Sequence, residues 1–365
     1  MPATISDCDR RFGHTDFDPI ELSDGRCPVR GACHAPLAAV PFRKSTLPWC
    51  PEHGIRLHSG TFVYWNGPGR EDEARLRNFI VRPDLARTLA LAKGMKAESH
   101  RLGYEMSEDA LTWNVFVSLA MAGKLREVAQ WLTGRDVTGE PQLYLWGRRV
   151  DLTGGDHEEY DPLCQVRDKL ENGIRRFVTE PDIMLVVEGE MLVCIEAKFG
   201  SGNPLAHDGI ESDGEKPTSV DGLLKRYLGE GATEATRRVV QHGRIGTRLH
   251  SQLFRNIVFA SEMAGRRQTP WHVVNLVKAT ERGTRDVGHY AHAEPTDDVR
   301  SYLHPDSQHC FTYRTWEQLH RDLIAGDSDL AELDGYLRDK SAHYRPAFEL
   351  GAPRTQAQAT NGGAA

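Results

Sequence analysis

Three charged residues stand at the ends of two strongly apolar segments. Asp182 begins the segment 182–187, and the segment 191–197 carries Glu196 near its end and is followed by Lys198. Because both segments are apolar at nearly every position, they are predicted to be strands in the middle of a sheet that is covered on both faces.

The turn between the two strands decides whether the three charges meet. The tripeptide Glu-Gly-Glu at 188–190 predicts a short hairpin turn. When pairs are counted outward from Gly189, Asp182 lies opposite Glu196, and opposed residues share a face with Cβ atoms roughly 5 Å apart. Lys198 lies on the same face as Glu196 because side chains alternate along a strand. A two-residue turn would shift this register by one.

Two carboxylates and an ammonium group at one end of a buried hairpin are typical of a metal-dependent hydrolase. Buried charges are costly unless they are paired or bind a metal, and carboxylate oxygens suit Mg²⁺ together with substrate phosphate oxygens. Such a metal polarises a phosphoryl group, and Lys198 would orient the attacking water and offset transition-state charge. The alternative is an ordinary charged surface at a strand end.

The motifs Pro181-Asp182 and Glu196-Ala197-Lys198 resemble those of the PD-(D/E)XK nuclease superfamily, which has the restriction-endonuclease-like fold. The resemblance implies that Asp182 and Glu196 bind Mg²⁺ or Mn²⁺ and that Lys198 is the catalytic lysine. It also implies an α/β fold in which helices flank a mixed sheet.

The family core consists of a helix, a three-stranded meander, a second helix and a further strand. The sequence offers these elements in order over residues 106–345, with a long insertion at 150–178. The predicted elements are the helix 107–122, a strand around 142–150, the strands 182–187 and 191–197, the helix 249–264 and the strand 271–277. Further helices are predicted at 71–80, 83–93, 124–132, 162–175, 316–324 and 330–340.

Other family members place an acidic residue on the helix before the sheet and a glutamine on the helix after the lysine strand. Glu108 is the counterpart of that acid and a third Mg²⁺ ligand, although Glu108 and Asp109 also suit the positive end of a helix dipole. Glu171 is the rival acid. Gln252 is the counterpart of the glutamine, or else a solvated helix residue.

A group of cysteine and histidine residues near the N-terminus predicts a structural zinc site. Cys27, Cys33, Cys50 and His53 supply the four ligands that tetrahedral zinc requires, although the first spacing is wider than usual. Cys8 and His34 are possible substitutes. The alternative is a small core that contains reduced cysteines, but a segment this short needs a cross-link of some kind.

Basic residues before the helix 249–264 predict a groove that contacts phosphates, or else a solvated helix face. They are Arg237, Arg238, Arg244 and Arg248, with Lys225 and Arg226 just upstream. The net charge of −7 argues against indiscriminate coating of nucleic acid, but it leaves room for a local basic groove.

The domain prediction follows from these motifs. It comprises a flexible arm at 1–23, a zinc-finger-like module at 24–66, a helical linker at 67–105, the nuclease domain at 106–345 and a disordered tail at 346–365. A mobile loop is predicted at 200–222. No secretory signal or membrane span is apparent, which predicts a cytoplasmic protein.

The sequence therefore predicts a DNA endonuclease with Mg²⁺ (or Mn²⁺) and structural zinc as cofactors. A role in restriction or antiviral defence rests on the family resemblance alone. The alternatives are a nucleic-acid-binding regulator whose nuclease fold no longer cuts, and an RNA nuclease. A homodimer is predicted for the cutting complex, because one such site cuts one strand.

Overall fold

The structure is a computed structural model of the 365-residue chain. It describes residues 10–18, 25–30, 36–42, 45–58, 61–92, 102–174, 178–206, 219–245, 249–279, 290–291, 294–342 and 344–351.

Fourteen strands and eleven α-helices are present among the described residues. The strands are β1 (Ala38–Phe42), β2 (Ser45–Cys50), β3 (Ile55–His58), β4 (Thr61–Tyr64), β5 (Gln142–Leu145), β6 (Arg148–Arg149), β7 (Ile183–Val187), β8 (Met191–Lys198), β9 (Asn203–Pro204), β10 (Trp271–Val277), β11 (Tyr290–Ala291), β12 (Phe311–Thr315), β13 (Ser341–Ala342) and β14 (Arg345–Pro346). The helices are α1 (Glu71–Leu76), α2 (Pro83–Ala92), α3 (Glu108–Met121), α4 (Leu125–Thr133), α5 (Asp161–Leu170), α6 (Val220–Leu228), α7 (Glu234–Val239), α8 (Ser251–Arg267), α9 (Thr296–Tyr302), α10 (Trp316–Leu319) and α11 (Ala331–Asp339).

The chain forms two compact units. The first contains residues 1–87, 94–122 and 317–365, and the second contains 88–93 and 123–316. Helices α3 and α11, which lie within the predicted nuclease domain 106–345, belong to the first unit, and the domain boundaries stay predictions. The local composition of the sequence does not show that the chain returns to the first unit after it has formed the second.

The first unit contains an antiparallel sheet in the order β1-β2-β3-β4 and a small aromatic core. Phe12 and Phe17 are buried in this core beside Phe62, so the described part of the predicted flexible arm, 10–18, packs against the sheet. Phe348 is also buried in the segment predicted as a disordered tail. The rest of that tail, 352–365, lies outside the described residues.

The second unit is built on a six-stranded mixed sheet in the order β12-β10-β8-β7-β5-β6. Strands β5, β7 and β8 form an antiparallel meander, and β10 runs parallel to both β8 and β12. Helices α5, α6 and α7 pack against α8, which packs on β8 and β10, while α4 packs against β10 and β12. The predicted mixed α/β architecture with helices flanking a mixed sheet is thus confirmed.

The hairpin of β7 and β8 has the predicted register. Val187 pairs with Met191 and Ile183 with Ile195, across a three-residue turn in which Gly189 has a φ of 69°. That left-handed conformation favours glycine, which explains why the turn closes here. All thirteen residues of the two strands are buried, as expected for the middle of a covered sheet.

Some secondary structure differs from the prediction. The predicted helix 162–175 ends at Leu170, and the predicted strand around 142–150 is interrupted at Trp146 and Gly147, which both have positive φ. Strand β12 and helices α6, α7 and α9 were not predicted. Residues 207–218 of the predicted mobile loop lie outside the described residues, and α6 begins at Val220.

Candidate active site and candidate metal centre

The side chain of Asp182 reaches across the hairpin to β8. Its Oδ2 accepts a hydrogen bond of 2.8 Å from the backbone N–H of Ala197, between Glu196 and Lys198. The carbonyl oxygen of Asp182 accepts a bond of 3.0 Å from the N–H of Trp146, which fixes the backbone where the hairpin meets β5. Asp182 is therefore held beside Glu196 and Lys198, at the end of the hairpin where β7 begins and β8 ends.

Glu196 and Lys198 form an ion pair on one face of β8. The Lys198 Nζ lies 2.6 Å from Glu196 Oε1, and the two residues are 8% and 1% exposed respectively. The carbonyl oxygen of Lys198 accepts a bond from the indole N–H of Trp316 at 2.9 Å, which anchors the end of the strand. This pairing follows from the alternation of side chains along β8.

Glu196 is also hydrogen-bonded to Asn256 of α8, a residue that was not predicted from the sequence. The Asn256 side-chain amide donates to Glu196 Oε2 at 2.7 Å and is itself buried. The predicted helix residue, Gln252, lies one turn earlier and is half-buried. The two are four residues apart and share a helix face, and the assignment of Gln252 as the counterpart of the family glutamine stays a prediction.

The backbone of β8 beside Glu196 is held by a pair of buried amides. Asn275 pairs with Glu196 across β8 and β10 and donates to its carbonyl oxygen at 3.3 Å. Asn203 bonds to Asn275 at 2.9 Å and 3.2 Å. Both asparagines are buried, and this reciprocal pairing satisfies polar groups that would otherwise be costly in the core.

Glu171 follows the last residue of α5, where three hydrogen bonds enclose its carboxylate. It accepts from the Thr179 backbone N–H at 2.7 Å, from the Thr179 hydroxyl, and from the Tyr227 hydroxyl at 2.6 Å. These contacts indicate that Glu171 joins α5, α6 and the segment before β7. Glu108 begins α3 in the first unit and is half-buried, and its assignment as the upstream acid stays a prediction.

The guanidinium group of Arg255, next to Asn256 on α8, is also buried. Burial lowers the pKa of Arg255 from its ordinary value, and the nearby Tyr227, Glu171 and Glu196 oppose that shift. Among the described residues, Arg255 and Lys198 are thus both cationic side chains near Glu196.

The carboxylates of Asp182 and Glu196 are the kind of oxygen donor that Mg²⁺ prefers, and a metal site here stays a prediction. Two carboxylates opposite each other offer hard oxygen ligands, and each carboxylate oxygen has lone pairs beyond the one used in a hydrogen bond. Mg²⁺ is commonly held by one or two carboxylates while it keeps several waters and binds substrate phosphate oxygens.

The predicted basic groove has no support from the contacts of its members. Arg237, Arg238 and Arg244 are exposed, and Arg248 lies outside the described residues. Arg238 pairs with Glu234 one turn earlier on α7, and Arg237 bonds to the Gly229 carbonyl at 3.3 Å. Their role in binding phosphates stays a prediction.

In the first unit, Cys27, Cys50 and His53 form a cluster that could hold a structural metal such as zinc. Their ligand atoms lie within 4.8 Å of one another, and all three residues are buried. The His53 Nδ1 lies 3.4 Å from Cys27 Sγ and 3.3 Å from Cys50 Sγ. Zinc bonds of about 2.3 Å to sulfur and about 2.0 Å to nitrogen, at the tetrahedral angle, would place such atoms about 3.5 Å apart.

The turn between β2 and β3 presents His53 to the two thiols. Cys50 ends β2 and pairs with Ile55, which leaves a four-residue turn that contains His53. The buried Arg77 donates to the carbonyl oxygens of His53 at 3.0 Å and Gly54 at 2.9 Å, which fixes the turn. The predicted fourth ligand, Cys33, lies outside the described residues, as do its possible substitutes, Cys8 and His34.

Comparison of the chain with protein-family models, with curated proteins and with solved structures returned no match. Among the described residues, no helix combines the length and apolar composition that a bilayer crossing requires.

Proposed function

We propose that the protein is a Mg²⁺-dependent nuclease that hydrolyses phosphodiester bonds of DNA. The observation that carries the proposal is the convergence of Asp182, Glu196 and Lys198 at one edge of a buried hairpin, with Lys198 Nζ 2.6 Å from a Glu196 oxygen. Buried charges of this kind cluster at functional sites, because a fold has little reason to bury them for stability alone.

Each residue has a defined task in this mechanism. Asp182 and Glu196 would hold Mg²⁺, and Asn256 and the backbone N–H of Ala197 orient their carboxylates. When bound, the metal supplies Lewis acidity toward the phosphate and its water. Lys198 orients the attacking water and offsets the negative charge that develops on phosphorus-bound oxygens.

The topology of the second unit supports the same reading. An antiparallel meander of β5, β7 and β8, followed by the helical segment that ends in α8 and by β10 parallel to β8, agrees with the order expected from the restriction-endonuclease-like resemblance. A role in restriction or antiviral defence is part of the proposal and rests on that resemblance. The presence of all three residues, Asp182, Glu196 and Lys198, argues against a non-cutting nucleic-acid-binding regulator.

Cleavage assays test the proposal directly. Supercoiled plasmid, linear duplex, single-stranded DNA and RNA would each be incubated with Mg²⁺, with Mn²⁺ and with a chelator. We expect metal-dependent cleavage of DNA that is abolished by Asp182→Ala, Glu196→Ala and Lys198→Ala, while circular dichroism shows a folded protein. Glu188→Ala, an exposed acid in the turn of the same hairpin, is the matched control and should cleave normally.

Two outcomes would change the assignment. Cleavage of RNA alone would favour the RNA nuclease, and binding without cleavage in any metal would favour the regulator. The predicted homodimer would appear in light scattering of Asp182→Ala bound to duplex DNA. If that complex is monomeric and the wild-type protein only nicks plasmid, the dimer is refuted and the nuclease assignment stands.

A further inference from the structure

Among the residues that the structure describes, no side chain or backbone group is hydrogen-bonded to the buried guanidinium group of Arg255. The residue is 8% exposed, its Nε is enclosed, and among the described residues the group forms no hydrogen bond or ion pair. Buried polar groups almost always have a partner, and a buried charge without one is an exception that needs an explanation. A ligand that the free protein lacks would supply it.

The carboxylates near Arg255 already bind other groups. Glu196 accepts from Lys198 at one oxygen and from Asn256 at the other, and Glu171 accepts from Thr179 and Tyr227. Among the described residues neither carboxylate is hydrogen-bonded to Arg255, which leaves its N–H donors available to an incoming anion.

The position of Arg255 on α8 directs it to the same part of the unit as the candidate active site. Asn256, the next residue, contacts Glu196, and residues three and four apart on a helix share a face, as Gln252, Arg255 and Asn256 do. Tyr227, whose hydroxyl binds Glu171, packs its ring against Phe254 and Phe259 on that helix. The arginine is thus close to both Glu171 and Glu196.

We propose that Arg255 binds a non-bridging oxygen of the substrate phosphate at the Asp182–Glu196 centre. The inference rests on the proposed nuclease function and assigns it a further substrate-contacting residue. The planar guanidinium group offers several N–H donors in a fork that matches phosphate oxygens, and it keeps its charge even when buried. Lys198 shares its charge with Glu196, and Arg255 would add a second positive charge to balance the incoming phosphate.

Arg255→Met tests the inference, with Arg255→Lys as the variant that keeps the charge but not the fork. Arg266→Met is the matched control, since Arg266 is exposed on the same helix and bonds to Gln165. Plasmid cleavage in Mg²⁺ and thermal unfolding of the protein without nucleic acid would be measured for each. We expect Arg255→Met to reduce the cleavage rate by about 100-fold or more, as for loss of one preorganised donor, with only partial recovery in Arg255→Lys.

Thermal unfolding separates substrate binding from a structural role. Removal of an unpaired buried charge should leave the melting temperature unchanged or raise it, whereas removal of a structural arginine would lower it. The inference is overturned if Arg255→Met cleaves like the wild type and Arg266→Met, or if a lower melting temperature accounts for its loss of cleavage. If the wild-type protein cleaves no nucleic acid in any metal, the proposed function fails first and the inference with it.

Discussion

Asn256 donates a hydrogen bond of 2.7 Å to Glu196 Oε2 while Lys198 occupies Oε1 of the same carboxylate. One partner comes from the strand that carries Glu196 and the other from the helix packed over it. The carboxylate plane is therefore fixed from two directions, and its orientation depends on how α8 packs on β8. Residues that are hydrogen-bonded to a metal-binding carboxylate commonly determine its orientation and so the affinity for the metal.

Asn256→Ala should weaken cleavage more than Gln252→Ala does. Loss of the Glu196 contact leaves that carboxylate oriented by Lys198 alone, and we expect a roughly 10- to 100-fold loss in Mg²⁺ affinity or activity. Gln252→Ala, one turn earlier on the same helix face, is the control. The concentration of Mg²⁺ that gives half-maximal cleavage would be measured for both variants. A larger effect from Gln252→Ala would support the sequence-based assignment.

The convergence of Asp182, Glu196 and Lys198 could be predicted from the sequence because it depends only on strand alternation and on the length of one turn. Glycine at 189 and the uninterrupted apolar segments on both sides determine that register. Asn256 could not be selected in the same way. Helix periodicity identifies a face, but the depth of a residue along that face depends on how α8 packs against the sheet.

The packing of the N-terminal segment could not be predicted from the sequence either. Phe12 and Phe17 stand in a polar stretch without periodicity, yet they are buried in a core that includes residues far along the chain, such as Tyr344, which stacks on Phe17. Strand β12 was missed because FTYRT is short and only partly buried, and it lies at the edge of the sheet. Such features depend on contacts between distant segments, which local patterns do not record.

Glu171→Gln should reduce stability and spare catalysis. The carboxylate accepts three hydrogen bonds in a buried site, and an amide group would turn an N–H toward one of those donors. We expect a loss of roughly 2 kcal/mol in the free energy of unfolding, typical of a disrupted buried bond to a charged group. The free energy of unfolding, from urea titration, and the cleavage rate per folded molecule would be measured for Glu171→Gln and for Glu108→Ala. Loss of cleavage without loss of stability would identify Glu171 as the upstream acid.

The protein purified without added metal should contain one zinc per chain. Cys50→Ser/His53→Ala should lose the metal and destabilise the first unit, because structural zinc contributes directly to folding free energy. Elemental analysis and thermal unfolding would test this, with Cys164→Ser, a half-exposed cysteine of the second unit, as control. Zinc retained by the double variant would refute the ligand set. Cys33→Ser would show whether the predicted fourth ligand is correct.

His272 should make the second unit less stable as the pH falls below neutrality. The residue is buried on β10, its Nε2 lies 2.6 Å from the Thr312 hydroxyl, and no partner reaches Nδ1 among the described residues. Burial lowers the pKa of His272 to about 3, and electrostatic interactions with four nearby basic residues add to the shift: Arg135, His309, Arg314 and Arg300. The imidazole therefore remains neutral in the folded protein under mildly acidic conditions.

The direction of the pH effect follows from the lowered pKa of His272. In the unfolded chain the imidazole titrates near its ordinary value of about 6.5, so between that pH and about 3 the unfolded state binds one more proton. Stability is complete above that window and declines as the pH falls, by about 2 kcal/mol between pH 7 and pH 5. Urea unfolding from pH 5 to pH 8 would measure it. His272→Gln should flatten this slope and His304→Gln should not; equal slopes in all three proteins would show that other groups govern the acid response.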